Sequence, residues 1–301
     1  MEKAQRVIDE RKIRTSKKVF NPGPARSTAG NVVNFVFLCI VGAFMVLPLV
    51  YTVCNAFKPL DELFLFPPTF FVRNPTLDNF QNISVLMGQS WVPFSRYIFN
   101  TLFVTIVATV LHIIAASLAA YVLEKRKFPG AKVMFKVVVL SLMFSAAVTG
   151  IPNYIIMSKL GMIDTYFALI VPYIASSIGL YLMKQFVSSS IPDALLEAAR
   201  IDGASELKIF ASIVMPLVKP AWLTLLLFSV QSLWGTTGNT FIFTESLKPL
   251  NYALNQIMAG GIARAGAGAA VGLLMLLPPL AVFVFSQTRI LDTMASSGIK
   301  D

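Results

Sequence analysis

The chain has 301 residues, of which 56% are hydrophobic and 13% charged, with 25 Lys and Arg against 15 Asp and Glu for a formal net charge of +10. That balance is too apolar for a water-soluble domain of ordinary surface-to-volume ratio, and a mean hydropathy of +0.71 makes the bilayer the natural solvent. The basic residues cluster between long apolar runs rather than along one face, which argues against nucleic-acid binding.

Residues 1–30 form a basic, polar segment that includes Asn21-Pro22-Gly23-Pro24. Six apolar stretches of the length needed to cross a bilayer follow, at about 31–55, 97–123, 133–157, 165–187, 217–243 and 267–288. The first is too long for a signal-peptide core and has no small-x-small cleavage site, so it reads as an uncleaved anchor. It holds both cysteines, Cys39 and Cys54. On one helix these lie about 22 Å apart, which excludes a disulfide between them. The single histidine, His112, falls within the second stretch. With no clustered Cys or carboxylates around it, no metal site is expected.

Orientation follows from the basic residues, which are retained in the cytoplasm when they flank spans. With the N-terminus inside, 19 of the 25 Lys and Arg lie on the inner side and 6 on the outer. Both termini are therefore expected in the cytoplasm, on a multi-pass membrane protein. The expected organisation is all-α: a six-helix transmembrane domain over 31–290, with an external loop at 57–96, a cytoplasmic loop at 188–216 and a cytoplasmic tail at 291–301. Pro67, Pro68, Pro75 and Pro93 among Phe64, Phe66, Phe70, Phe71 and Trp91 make the external loop a folded cap at the membrane surface.

The 188–216 loop is the most informative part of the chain. Pro192 and Asp193 mark a helix start and Gly203 a stop. Leu195, Ala198, Ala199 and Ile201 are expected on the apolar side of this helix, with Asp193, Glu197 and Arg200 facing elsewhere. Asp202 or Ser205 can cap a second helix, which carries Leu207, Ile209, Phe210, Ile213 and Val214 towards Pro216. A helix-turn-helix bracket below the bilayer results.

Glu197-Ala198-Ala199, three residues, Gly203, nine residues, Ile213, one residue and Met215-Pro216 resembles the EAA loop of binding-protein-dependent permeases. Met215 stands where the family usually has Leu, a swap that conserves volume and hydrophobicity. Leu160-Gly161-Met162-Ile163-Asp164-Thr165 and the terminal Ser297-Gly298-Ile299-Lys300 resemble the maltose-type branch of carbohydrate importer permeases, within the MetI-like family. The resemblance covers roughly residues 30–301. It implies a type I ABC importer permease fold, a second homologous permease subunit as partner, two ATP-binding-cassette ATPase subunits that use ATP and Mg, and an external solute-binding protein. It also implies that Glu197, Ala198, Ala199, Arg200, Asp202 and Gly203 couple this chain to the ATPase. Small Ala198 and Ala199 allow close approach to a partner groove, and Glu197 and Arg200 offer charge-assisted bonds.

The chain lacks Gly-x-x-x-x-Gly-Lys-[Ser/Thr], so ATP hydrolysis is expected in a separate polypeptide and no cofactor is expected on this one. Polar groups within spans are costly unless they face a cavity or a partner helix, so they are candidates for a substrate pathway. Gly150-Ile151-Pro152-Asn153-Tyr154 is expected to interrupt the third stretch, leaving Asn153 and Tyr154 to meet sugar hydroxyls. Gln231, Trp234 and Asn239 offer hydrogen bonds and an aromatic face in the fifth. Each also fits helix-to-helix bonding or interfacial anchoring.

Small residues over 259–270 suit close helix packing. They also resemble a branch that handles oligosaccharides from complex plant polysaccharides. The expected function is thus the permease subunit of an ATP-driven importer of sugars, with oligosaccharides the expected cargo, and without catalytic residues. The alternative is an ion-coupled carrier or a stand-alone membrane enzyme, which would need carboxylates inside the span cores, where none occurs.

Overall fold

The computed structural model of the protein describes residues 28–88 and 91–297. They fall into two units, one ending at Tyr51 and the other beginning at Thr52. The basic segment expected over 1–30 lies, up to residue 27, outside the described residues, as do residues 298–301 of the expected tail.

The first unit holds most of helix α1 (Thr28–Phe57). Phe35, Phe37, Ile40, Phe44 and Met45 are exposed along it, and a helix apolar all round is one that meets lipid or another membrane helix.

The second unit is helical among the described residues: α2 (Leu60–Leu63), α3 (Asp78–Gly88), α4 (Phe94–Lys125), α5 (Ala131–Ser141), α6 (Ala146–Lys159), α7 (Phe167–Ile174) and α8 (Ser177–Ser190). Then come α9 (Asp193–Ile201), α10 (Glu206–Leu217), α11 (Lys219–Trp234), α12 (Leu250–Met258) and α13 (Ala265–Ser297). Its axis is α4, which packs against α7, α8 and α11, while α11 packs against α13. Three apolar clusters are strung along α4. One forms around Tyr97 near its start, one around Val104 and Ala108, and one around Ala116, Ala120 and Tyr121 near its end. The buried alanines let neighbouring backbones approach closely. Gly179 of α8 does so at His112: a Cβ at Gly179 would collide with the imidazole ring, which stacks edge-on against Tyr173 and bonds the Ile174 carbonyl at 3.1 Å. His112 is a packing residue of this contact.

Among the described residues, four helices are long and apolar enough to cross a bilayer: Gly30–Phe57, Phe94–Lys125, Phe167–Ser190 and Ile262–Gln287. A fifth crossing is added if the pair Glu206–Leu217 and Lys219–Trp234, bent by 76°, is one span. Three of the six expected stretches therefore differ in form, the fourth by a short break at 175–176 between α7 and α8. The third is two helices, α5 and α6, parted at 142–145, where Ser145 adopts an extended backbone and starts α6. The expected interruption at Gly150-Ile151-Pro152 does not occur, because Pro152 sits inside α6, where a proline removes one ladder bond without ending the helix. The fifth is helical only to Trp234, and residues 235–244 form an irregular loop. At the other extreme, α13 runs through the first residues of the expected tail to Ser297.

The described residues of the 57–96 segment are folded. The Glu62 carboxylate accepts the Arg73 and Asn74 N–H groups at 2.8 and 3.3 Å, and Lys58 Nζ donates to the Thr69 carbonyl at 2.5 Å. Asn79 Nδ2 donates to the Ala56 and Lys58 carbonyls at 3.0 and 2.7 Å. Burial pushes the Glu62 carboxyl up, but the two N–H bonds and the nearby Lys58 outweigh it and hold the group below the ordinary range. Phe64, Phe66, Phe71 and Trp91 stay exposed, as interfacial aromatics do.

Candidate functional site

Beyond the Lys125 end of α4 lies the bracket of α9 and α10. Helix α9 begins after Pro192 in extended conformation and ends at Ile201, two residues before Gly203, whose φ of +78° is the left-handed conformation that follows a helix stop. Ser205 then caps α10, its hydroxyl accepting the Lys208 N–H at 3.4 Å; Asp202 is not the cap. A π-helical turn over Phe210–Val214 precedes the bend into α11.

The buried side of α9 is Leu196 and Ala199, which pack with Ile209 and Val214 against Ala116, Ala120 and Tyr121 of α4. Of the residues expected together on one apolar side, Ala199 is buried while Leu195, Ala198 and Ile201 are exposed, Ile201 at 85%. Leu207 on α10 is exposed too. The difference is a rotation of about one position: Ile191 enters the core just before α9, which turns Leu196 rather than Leu195 inward. The outward face is therefore Leu195, Glu197, Ala198, Ile201, Asp202 and Gly203.

Two latches tie the bracket to α4. Lys125 Nζ donates to Asp193 Oδ1 at 2.8 Å and to the Ile191 carbonyl at 2.6 Å. That bond holds the Asp193 carboxyl below its ordinary range, although Asp193 is 77% exposed and its partner 7%. The second latch centres on Glu206: Oε1 meets Arg200 Nε at 2.9 Å and Arg126 Nη2 at 2.7 Å, and Oε2 accepts the Tyr121 hydroxyl at 2.8 Å. Arg200 thus braces the bracket internally, while Glu197 faces outward.

The Phe94 end of α4 is gripped as well. Asn100 Nδ2 donates to the Ser246 and Lys248 carbonyls at 2.9 and 2.8 Å, and its Oδ1 accepts the Tyr166 hydroxyl at 2.7 Å. Tyr97 bonds Glu245 at 2.6 Å and Thr101 accepts the Leu250 N–H at 2.7 Å. Next to this clamp, Asp164 accepts the Phe243 and Thr244 N–H groups at 2.8 Å each and the Thr244 hydroxyl at 2.5 Å. The Thr244 hydroxyl first, then the two N–H groups, hold its carboxyl below the ordinary range. The residue adopts a φ of +61°, a conformation Asp tolerates better than most residues.

A cavity of about 710 Å³ is lined by α5, α6, α7, α8, the end of α11 and the loop that follows it. Three helix breaks converge on it: 142–145 between α5 and α6, 175–176 between α7 and α8, and the loop after Trp234. Hydroxyls, one amide and aromatic rings line it, including Ser141, Thr149, Tyr173, Ser177, Thr237 and Asn239, and among the described residues no charged side chain does. Of the residues expected on a pathway, Asn239 lines this space and accepts from Lys248 Nζ at 3.3 Å. Tyr154 stands behind one wall, stacked on Phe241 at 6.3 Å, and Asn153 and Gln231 are not in the lining. Trp234 turns away to donate its Nε1–H to the Met275 carbonyl at 3.1 Å. The lining hydroxyls were overlooked because single Ser and Thr residues carry little signal in an apolar run; the signal is their position beside helix breaks.

A helical bundle of membrane-crossing length, with a polar cavity at its helix breaks and a braced bracket beyond one end, has the architecture of a membrane permease. The chain belongs to the family described as the binding-protein-dependent transport system inner membrane component, whose model matches residues 83–295. It is 31% identical over 291 residues to Protein LplC of Bacillus subtilis (strain 168), covering 90% of this chain and 94% of that one. It is 30% identical over 282 residues to the polygalacturonan/rhamnogalacturonan transport system permease protein YtcP of the same organism, covering 83% and 91%. In the crystal structure of a bacterial ABC transporter involved in the import of the acidic polysaccharide alginate, one chain matches 88% of this chain over 99% of its own length, with a TM-score of 0.73 at 22% identity. The fold is that of an ABC importer permease. The chain is a transport component of the inner membrane and not an enzyme.

Proposed function

We propose that this subunit carries a saccharide of oligosaccharide size across the cell membrane, driven by ATP and Mg bound to two separate ATPase subunits, with a second homologous permease and an external solute-binding protein completing the assembly. In this reading both termini and the 188–216 bracket are cytoplasmic, and the 57–96 segment forms an external cap. Glu197, Ala198, Ala199, Arg200, Asp202 and Gly203 form the coupling element: Glu197, Ala198, Asp202 and Gly203 on its exposed side, with Ala199 and Arg200 securing it from behind. The substrate pathway runs through the cavity at Asn239. Saccharide cargo is supported by the permeases to which the chain is similar and by a lining of hydroxyls, an amide and aromatic faces suited to sugar hydroxyls and ring faces.

The observation that carries the coupling role is the exposed apolar row Leu195, Ala198 and Ile201 on a helix that the chain holds rigidly from its other side. Such a row in water is a binding surface awaiting its groove. The test is co-purification of the tagged subunit with its neighbouring permease and ATPase subunit, comparing wild type with Glu197→Arg and Gly203→Asp. Retention of ATPase by wild type, with loss in both variants, is expected. Equal retention by the variants, or no ATPase with wild type, would overturn the coupling role and favour an ion-coupled carrier.

A further inference from the structure

Next to the bracket lies a second cavity, of about 510 Å³, that transport of a saccharide does not use. It sits where α4 ends and α5 begins, against α8, and its lining includes Arg126, Lys127, Lys132 and Lys184 with Phe128 and Phe135. We propose that this cavity binds the headgroup phosphate of an anionic phospholipid.

The charge balance favours an anion. Glu124 is the one carboxylate in the lining, and it is already engaged by Lys184 at 2.5 Å and by the Ser188 hydroxyl at 2.7 Å. Arg126 reaches Glu206. Among the described residues no carboxylate forms an ion pair with Lys127 or Lys132, although Lys127 lies near enough to Asp193 to help hold that carboxyl down, so both lysines line the cavity without a bonded counter-charge. The first residues of α5, Ala131 and Lys132, also line it, and they present the positive end of an eleven-residue helix dipole to the same space.

The surroundings favour a lipid over a free anion. From the cavity α5 continues with no buried residue, and Val133, Met134, Val137 and Leu140 are exposed along it, with Lys136 one turn beyond Lys132 the other charged side chain of the helix. A phosphate seated among Lys127, Lys132 and Lys184 would place its acyl chains along that surface, and Phe128 and Phe135 would flank the glycerol at the depth where aromatic rings settle in a bilayer. A soluble phosphate would gain nothing from the apolar face. Lys184 is held in place, with its ammonium 4.2 Å from the Phe135 ring centroid, so the cavity is partly preorganised. Its neighbours matter as well: Arg126 lines the cavity and also belongs to the Glu206 latch, so an occupied site would stiffen the end of α4 that holds the bracket.

The test is binding of phosphatidylglycerol to the complete transporter, purified and stripped of lipid, with phosphatidylcholine and inorganic phosphate as the other probes. Wild type is expected to bind phosphatidylglycerol in preference to phosphatidylcholine. Each lysine near the surface contributes about five-fold in affinity, so Lys127→Ala/Lys132→Ala is expected to weaken binding by about 25-fold. Lys127→Arg/Lys132→Arg should retain it, and Lys159→Ala, at a lysine away from the cavity, should leave it unchanged. Intact assembly of the double alanine variant with its partners excludes misfolding as the cause. Equal binding of the two lipids, or undiminished binding by the double alanine variant, would overturn the proposal. Displacement of phosphatidylglycerol by inorganic phosphate at matched concentration would overturn the lipid assignment in favour of a free-anion site.

Discussion

At Gly179 the permitted side chain is set by the His112 ring, and the two residues form a pair whose energetics are not additive. Gly179→Ala is expected to lower the thermal midpoint of the purified subunit by a margin equivalent to about 1–3 kcal/mol, the usual cost of overpacking. His112→Ala in that background should restore part of the loss, a rescue that a double-mutant cycle of melting curves would read. Asp164 is a different case, because its carboxylate is depressed by the bonds it receives. The sign follows: the stability it lends to the 236–244 loop is present above its unfolded pKa of about 4 and is lost as pH falls through the lower folded value. Melting of wild type and Asp164→Asn should therefore differ near neutral pH and converge as pH drops below about 4. Convergence only at higher pH would assign the effect to another group. Trp234→Ala, which removes an indole bonded to Met275, should lower stability and leave the saccharide preference unchanged, whereas Asn239→Ala should weaken saccharide-dependent uptake in an otherwise stable assembly.

Among the elements, the bracket was the most legible, and the reasons are local. Pro192, Asp193, Gly203, Ser205 and Pro216 are punctuation whose meaning does not depend on distant partners, and all but Pro216 act here as starts, stops or caps. What could not be read was the face. Within a nine-residue helix both Leu195 and Leu196 fit an apolar stripe, and the choice was made by Ile191 and by the alanines of α4, which lie far off in sequence. The same holds for the latches: Glu206 meets Tyr121, Arg126 and Arg200, and no spacing rule pairs residue 206 with residue 121. Glu206→Ala would leave those donors without their shared acceptor. The expected result is an assembly that still retains its ATPase but in which the solute-binding protein no longer stimulates ATP hydrolysis. The Lys125 latch should tolerate more: solvent screens the exposed Asp193 carboxylate and leaves its ion pair weak, so Asp193→Asn should change stimulated ATPase rates little.

Across the whole molecule, composition was enough for the class of protein and for most of the helices, because apolar runs of bilayer length have few other uses. The breaks were harder. Pro152 suggested an interruption that α6 absorbs, while the true gap at 142–145 has no proline or glycine to announce it. Those gaps place hydroxyls around the cavity, so its lining was the least legible part. One dimension of α4 bears on how a transporter of this kind would work. At 32 residues the helix is about 48 Å long, and it is bonded to the bracket at one end and to the 245–250 segment at the other. A beam held at both ends turns a small angle into a large travel: tilting it by about 5° about one end sweeps the other through about 4 Å, more than the width of a water molecule. A modest displacement of the bracket would then reach the opposite end of α4, with no need for the helices between to unfold or slide.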